Sequence, residues 1–228
     1  MSVSNNDEIA HKLWKAIHIV GITFSPRSDN ATESFICFFE CLKDLLPDIN
    51  MSRSLSSFML QFPIDNFLNT SVGNNNSGKA FEWTYKLHAY INLIKKRQGQ
   101  LTNDITLDQA LDKYKNVNKT DWSHSFWFLL HYITANLPDR LNDNQILSMK
   151  AFVVCIRYLI PCDECKVHMA KYLSMTEIDQ YLSRRETIFT WTVVFHNNVS
   201  TRVKKPLMSV QDAMKLYRND EVYSYIDE

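Results

Sequence analysis

Glycine is nearly missing from this 228-residue chain: there are four, Gly21, Gly73, Gly78 and Gly99, and none follows Gly99. Glycine lets backbone approach a phosphate or adopt positive φ. A dinucleotide fingerprint or a P-loop is therefore excluded rather than degraded. Any nucleotide must be held by side chains on helices. Net charge is absent too, since 25 Lys and Arg balance 25 Asp and Glu. That removes the general pull toward nucleic acid or an anionic membrane, and no nucleic-acid partner is expected. No apolar run reaches the length of a membrane span. The N-terminus, Met1 to Glu8, is polar and acidic, unlike a secretory or transit leader, so a reducing compartment is expected. Cysteines number five, Cys37, Cys41, Cys155, Cys162 and Cys165. An odd count without a leader argues against a disulfide framework.

Helical periodicity dominates what is present. Met149, Phe152, Val153, Ile156 and Ile160 recur on one stripe. Pro161 interrupts it, and Cys162, Cys165, His168 or Met169, and Tyr172 begin the next face. Ser183 with Glu186 reads as a capping box, opening a helix whose stripe is Ile188, Trp191, Phe195 and Val199. Asp121 or Ser123 can cap a helix through Asn136, and a short helix fits 210–218. No strand alternation competes. The fold class is all-α, with four helices and a short fifth in this half.

The first half repeats these landmarks in order. Trp14 and His18 mirror Trp127 and His131. Phe38, Cys41 and Pro47 mirror Phe152, Cys155 and Pro161. Trp83 and His88 mirror Trp191 and His196, and 107–111 resembles 210–214. A longer loop over 69–79 accounts for the drift in offset. In this register Cys162 faces Asp48, Cys165 faces Met51 and His168 faces Ser54. Two tandem units are expected, 1–115 and 116–228, the first a degenerate copy without the dithiol, packed as a pseudo-dimer.

The stretch Pro161-Cys162-Asp163-Glu164-Cys165-Lys166-Val167-His168 carries the chemistry. Two intervening residues at a helix start allow a disulfide to close and reopen. A place in the first turn lowers the pKa of Cys162 and favours its thiolate. Cys165 and His168 share a face. Zinc is the competing use of Cys-x-x-Cys, but only three ligands cluster here, so a distant fourth such as His196 would be needed. That alternative describes a non-enzymatic helical interaction module with a Cys/Cys/His metal site. Lys166 excludes haem attachment. Cys37 and Cys41 share a helix face, but Phe35, Ile36, Phe38 and Phe39 around them point to burial, which disfavours a thiol relay.

Taken together, Trp127-Phe-Leu-Leu-His131, Pro161 to His168, Trp191 to Val199 with its His196-Asn197 pair, and Lys205-Pro206 resemble the Erv/ALR family of FAD-linked sulfhydryl oxidases. The duplicated frame is most similar to the baculovirus-type enzymes. The resemblance implies a helical bundle that clamps FAD, with Cys165 beside the flavin and Cys162 exchanging with substrate. It places Trp127, His131, Cys165, His168, Trp191, His196, Asn197, Ser200 and Lys205 at the cofactor, and it assigns no metal. Ser200 stands where the family has a second asparagine, and Val203-Lys204 replaces a leucine-glycine. Implied partners are protein dithiols, viral structural proteins among them, and O2, which yields H2O2. A homodimer of pseudo-dimers and a location in host cytoplasm, nucleus or virion are further expectations.

Overall fold

The computed structural model describes residues 5–26, 30–69, 76–100 and 102–219. Of the loop expected over 69–79, residues 70–75 lie outside these residues, whereas 69 and 76–79 are helical; the tail beyond Asn219 also lies outside them. The first half contains α1 (Asn5–Ile22), α2 (Ala31–Leu45), α3 (Ile49–Gln61), α4 (Ile64–Asn69), α5 (Asn76–Arg97) and α6 (Leu107–Tyr114). The second contains α7 (Lys119–Ala135), α8 (Asp143–Leu159), α9 (Asp163–Met175), a 3-10 turn (Ile178–Tyr181), α10 (Arg185–Arg202) and α11 (Val210–Tyr217). Among the described residues there is no strand, only one isolated bridge between Arg140 and Arg184.

Helix starts follow side-chain chemistry, though not always at the expected residue. The cap of α7 is Asn118, not Asp121 or Ser123: its Oδ1 accepts from Thr120 N and Asp121 N, and Asp121 returns a bond to Asn118 N–H. Asp121 is thus the third-position partner of a capping box. The box expected at Ser183 does not form. Arg184 occupies the cap of α10 without a side-chain bond. Tertiary contacts fix that helix start instead: Arg185 N–H donates to Asp139 O and Arg185 Nη1 to Leu137 O, tying α10 to the segment after α7.

The two halves meet along α2 and α8 and along α1 and α7. Phe38 stacks on Phe152 at 5.4 Å, and both are fully buried. Lys15 reaches Asp121 across α1 and α7 at 3.0 Å. Within the halves α1 packs on α5 and α7 on α10. Gly21 permits the first of these approaches, because a Cβ there would sit 2.8 Å from Thr84 Oγ1 and 3.1 Å from Phe81 Cα.

Truncating Phe38 to Ala removes a buried ring from the seam and leaves a cavity, at a cost of about 3–5 kcal/mol. Leu60→Ala, at a site 84% exposed, should move stability by less than about 0.5 kcal/mol. Urea unfolding of both variants checks the contrast.

Candidate functional site

Pro161 follows the end of α8, and Cys162 turns into α9 with extended backbone. The cysteine sits at the N-cap rather than inside the first turn, because its sulfur takes the place of a capping oxygen: Cys165 N–H donates to Cys162 Sγ at 3.3 Å. Cys162 and Cys165 are joined as a disulfide, with Cα atoms 5.2 Å apart, and both are half-buried. On reduction, the same N–H and the helix N-terminus favour a thiolate on Cys162. In the first half Asp48 caps α3, accepting from Asn50 N and Met51 N. Both α3 and α9 run for 13 residues, the one capped by a carboxylate and the other by sulfur.

Behind the dithiol, α7 and α10 form an aromatic cup. Trp127 stacks on His196 with centroids 4.1 Å and planes 6° apart. His131 Nε2 lies 2.9 Å from His196 Nδ1, and His131 Nδ1 lies 3.1 Å from Thr192 Oγ1. Thr192 Oγ1 donates its proton to Phe189 O at 2.7 Å. That carbonyl can only accept, so the order of protons follows. His131 Nδ1–H donates to Thr192, His196 Nδ1–H donates to His131 Nε2, and His196 Nε2 remains an acceptor. Burial, then His196, pushes His131 down to about 3. Burial, then Lys205 and His124, pushes His196 down to about 4. Both rings are neutral near pH 7.

Aromatic contacts join the cup to the dithiol helix. Phe195 lies 5.1 Å from Trp127 and stacks on Tyr172 of α9 at 4.5 Å. Trp191 is buried between Tyr172 and Phe195, and its Nε1 has no hydrogen-bond partner among the described residues. The buried Nδ1 of His168 also lacks one, with Glu164 3.9 Å away. The Asn197 side chain bonds both N–H and C=O of Met208, pinning the segment that leads into α11. Ser200 is buried, and its carbonyl accepts from Lys205 N–H at 2.8 Å. Lys204 takes φ 56, the left-handed helix end that glycine usually fills. Lys205 is exposed. Thr192 and Tyr217, whose ring is 4.9 Å from His131, escaped the sequence reading. In the first half Thr84 and Tyr114 likewise lie beside His18, at 3.3 Å and 5.2 Å.

Cys37, Cys41 and Cys155 converge at the seam of α2 and α8, their sulfurs all within 4.8 Å. Cys41 and Cys155 are buried. The hydrogen bond to Cys41, then burial, holds the Cys155 thiol far above the usual range, which keeps it protonated. Among the described residues this is the only group of three or more such ligand atoms that close. Cys162 and Cys165 are not part of it, since their sulfurs are joined to each other.

Residues 124–218 match the model of the Erv1/Alr family. The second half of the chain is thus similar to this family. It is 31% identical over 97 residues to a putative FAD-linked sulfhydryl oxidase of Invertebrate iridescent virus 3, covering 42% of this chain and 66% of the relative. It is 30% identical over 112 residues to the mitochondrial FAD-linked sulfhydryl oxidase ERV1 of Saccharomyces cerevisiae, covering 47% and 58%. It is 27% identical over 96 residues to the FAD-linked sulfhydryl oxidase of an African swine fever virus isolate, covering 42% and 79%. The chain thus spans less than two thirds of the length of the first two relatives. No solved structure matches it. Among the described residues no helix is long and apolar enough to cross a membrane.

The histidine pair fixes a pH dependence. In the unfolded chain these imidazoles titrate near 6.5, above their folded values of about 3 and 4. The unfolded state therefore binds more protons across that window, so stability is complete above about pH 6.5 and falls as the pH drops toward 4 and 3. The urea midpoint should decrease between about pH 7.5 and about pH 5, and the decrease should be shallower in His131→Gln.

Proposed function

We propose that the second half is an FAD-dependent sulfhydryl oxidase that forms disulfides in protein dithiols. One observation carries the reading: a disulfide at a helix N-cap, linked through Tyr172 and Phe195 to a cup of Trp127, His131 and His196. The names of the relatives point the same way. The cup suits a flat heterocycle because it offers an indole face and a neutral imidazole pair with a free acceptor on His196. Trp127, His131 and His196 would hold the ring system, and Lys205 would supply positive charge to the phosphates.

Cys162 is the sulfur assigned to meet substrate. A substrate thiolate attacks Cys162 Sγ, the Cys162–Cys165 bond breaks, and Cys165 leaves as a thiolate. The second substrate thiol then attacks the mixed disulfide, which releases oxidised substrate and leaves Cys162 as a thiolate. The N-cap amide favours this charge and so makes Cys162 a good leaving group. Two electrons have moved from substrate to the pair, which now holds two thiolates, and the two substrate thiol protons have passed to solvent. FAD held in the cup would supply the two-electron acceptor between this pair and O2, the chemistry that gives H2O2. The neutral histidines orient the ring and keep a second positive charge away from it.

The first half reads as a degenerate copy of the same unit. Asp48 at the cap, Met51 and Ser54 replace the reactive groups, while equivalent residues Phe38 and Phe152 touch each other, as an isologous contact requires. The tandem units, 1–115 and 116–228, would then form a pseudo-dimer. Action on viral structural proteins, in host cytoplasm, nucleus or virion, belongs to the same reading, as does further homodimerisation.

Purified protein should carry a visible flavin band and consume O2 when given a dithiol. Cys162→Ser and Cys165→Ser should each reduce turnover to background while the flavin band remains. His196→Ala should weaken FAD retention by about tenfold or more. A colourless wild-type chain after reconstitution with FAD would overturn the reading.

A further inference from the structure

The first half lost its dithiol but kept the cup. Trp14 stacks on His88 with centroids 3.8 Å and planes 6° apart. His18 Nε2 lies 3.0 Å from His88 Nδ1, and His18 Nδ1 lies 3.3 Å from Thr84 Oγ1. Thr84 donates to Phe81 O at 2.8 Å, and the Tyr114 ring closes the back at 5.2 Å from His18. Each distance agrees with its counterpart in the second half within a few tenths of an ångström. The proton order repeats as well. His18 Nδ1–H donates to Thr84, His88 Nδ1–H donates to His18, and His88 Nε2 remains an acceptor.

Packing alone does not ask for this. A buried imidazole pair costs desolvation that leucine or phenylalanine would avoid. Burial holds His18 down at about 3 and His88 at about 4, so the pair is neutral, like the one in the second half.

The first cup also opens into a cleft of about 350 Å³, at the small end of the range for small-molecule sites. Trp14, His18, His88 and Tyr114 line its aromatic side, and Asn92, Lys95 and Lys113 line its polar side. Neither ammonium is paired with a carboxylate among the described residues. Asp104, at the same rim, is already engaged by Lys96. The cleft therefore carries surplus positive charge beside a stacking surface.

We propose that this cleft is a second, non-redox site that binds a phosphate-bearing flat heterocycle, a mononucleotide of adenine or flavin. Its ring lies against the Trp14/His88 stack and its phosphate reaches Lys95 and Lys113. The ligand class rests on the reading of the second cup as an FAD site. The absence of redox chemistry rests on Asp48, Met51 and Ser54, which offer no sulfur pair. The volume favours a mononucleotide over a dinucleotide.

The test uses the full chain saturated with FAD, with uptake of labelled ADP and, separately, FMN measured by equilibrium dialysis. About one further equivalent of ADP or FMN per chain is expected, and the one taken up identifies the ring as adenine or isoalloxazine. Lys95→Ala/Lys113→Ala alters side chains at the cleft rim, so it should leave the fold and the flavin band intact. It should weaken this uptake about tenfold. His88→Ala should abolish uptake, whereas His196→Ala should release the flavin and leave uptake in place. The proposal is overturned if neither ligand binds beyond the first flavin equivalent, or if the double lysine variant takes up as much as the wild type. A chain that holds no flavin yet binds ADP in a lysine-dependent way would defeat the oxidase reading and sustain this one.

Discussion

A hydrogen bond between two neutral imidazoles, His131 on α7 and His196 on α10, is the constraint on which the second half depends. It ties together helices far apart in sequence. It also requires both rings to be uncharged in an apolar setting. The chain of donors ends on the Phe189 carbonyl, which leaves one arrangement of protons and hence one acceptor pointing out of the pair. Stacking of Trp127 on His196 then gives a flat surface backed by fixed dipoles. Such a surface is preorganised, because its groups need no reorientation when a ring arrives.

The dithiol is placed by a different force. Pro161 cannot extend α8, so the chain turns, and the first side chain able to accept from the exposed amides of α9 is Cys162. Capping therefore selects which sulfur lies at the helix end. Tyr172 carries the position of α9 to α10 through its stack on Phe195. Site geometry thus rests on one cap, one stack and one imidazole pair. The glycine-poor composition requires this kind of solution, since side chains must do what a glycine loop does elsewhere.

Much of this was legible in the sequence, for identifiable reasons. Helix type and most helix bounds follow from apolar spacing, proline and caps. The pairing of Trp127 with His131 was visible because helical periodicity puts residues four apart on one face. Errors arose where a local signal met a tertiary one. Ser183 has the pattern of a cap, but backbone and side-chain bonds from Arg185 to the segment after α7 decide where α10 begins. The bonds of the Asn197 amide to Met208 were equally out of reach of any local signal.

By itself the sequence determined an all-helical chain, the dithiol, and the order of paired tryptophans and histidines in each half, since these depend on spacing and residue type along one helix. Only tertiary structure decided that His18 meets His88 as His131 meets His196, that Cys155 joins Cys37 and Cys41, and that the first cup faces a cleft lined by Lys95 and Lys113. Those facts depend on which helices cross and how closely. Closeness at such a crossing is set by single contacts, such as the bare Cα of Gly21 against Thr84, that no periodicity encodes.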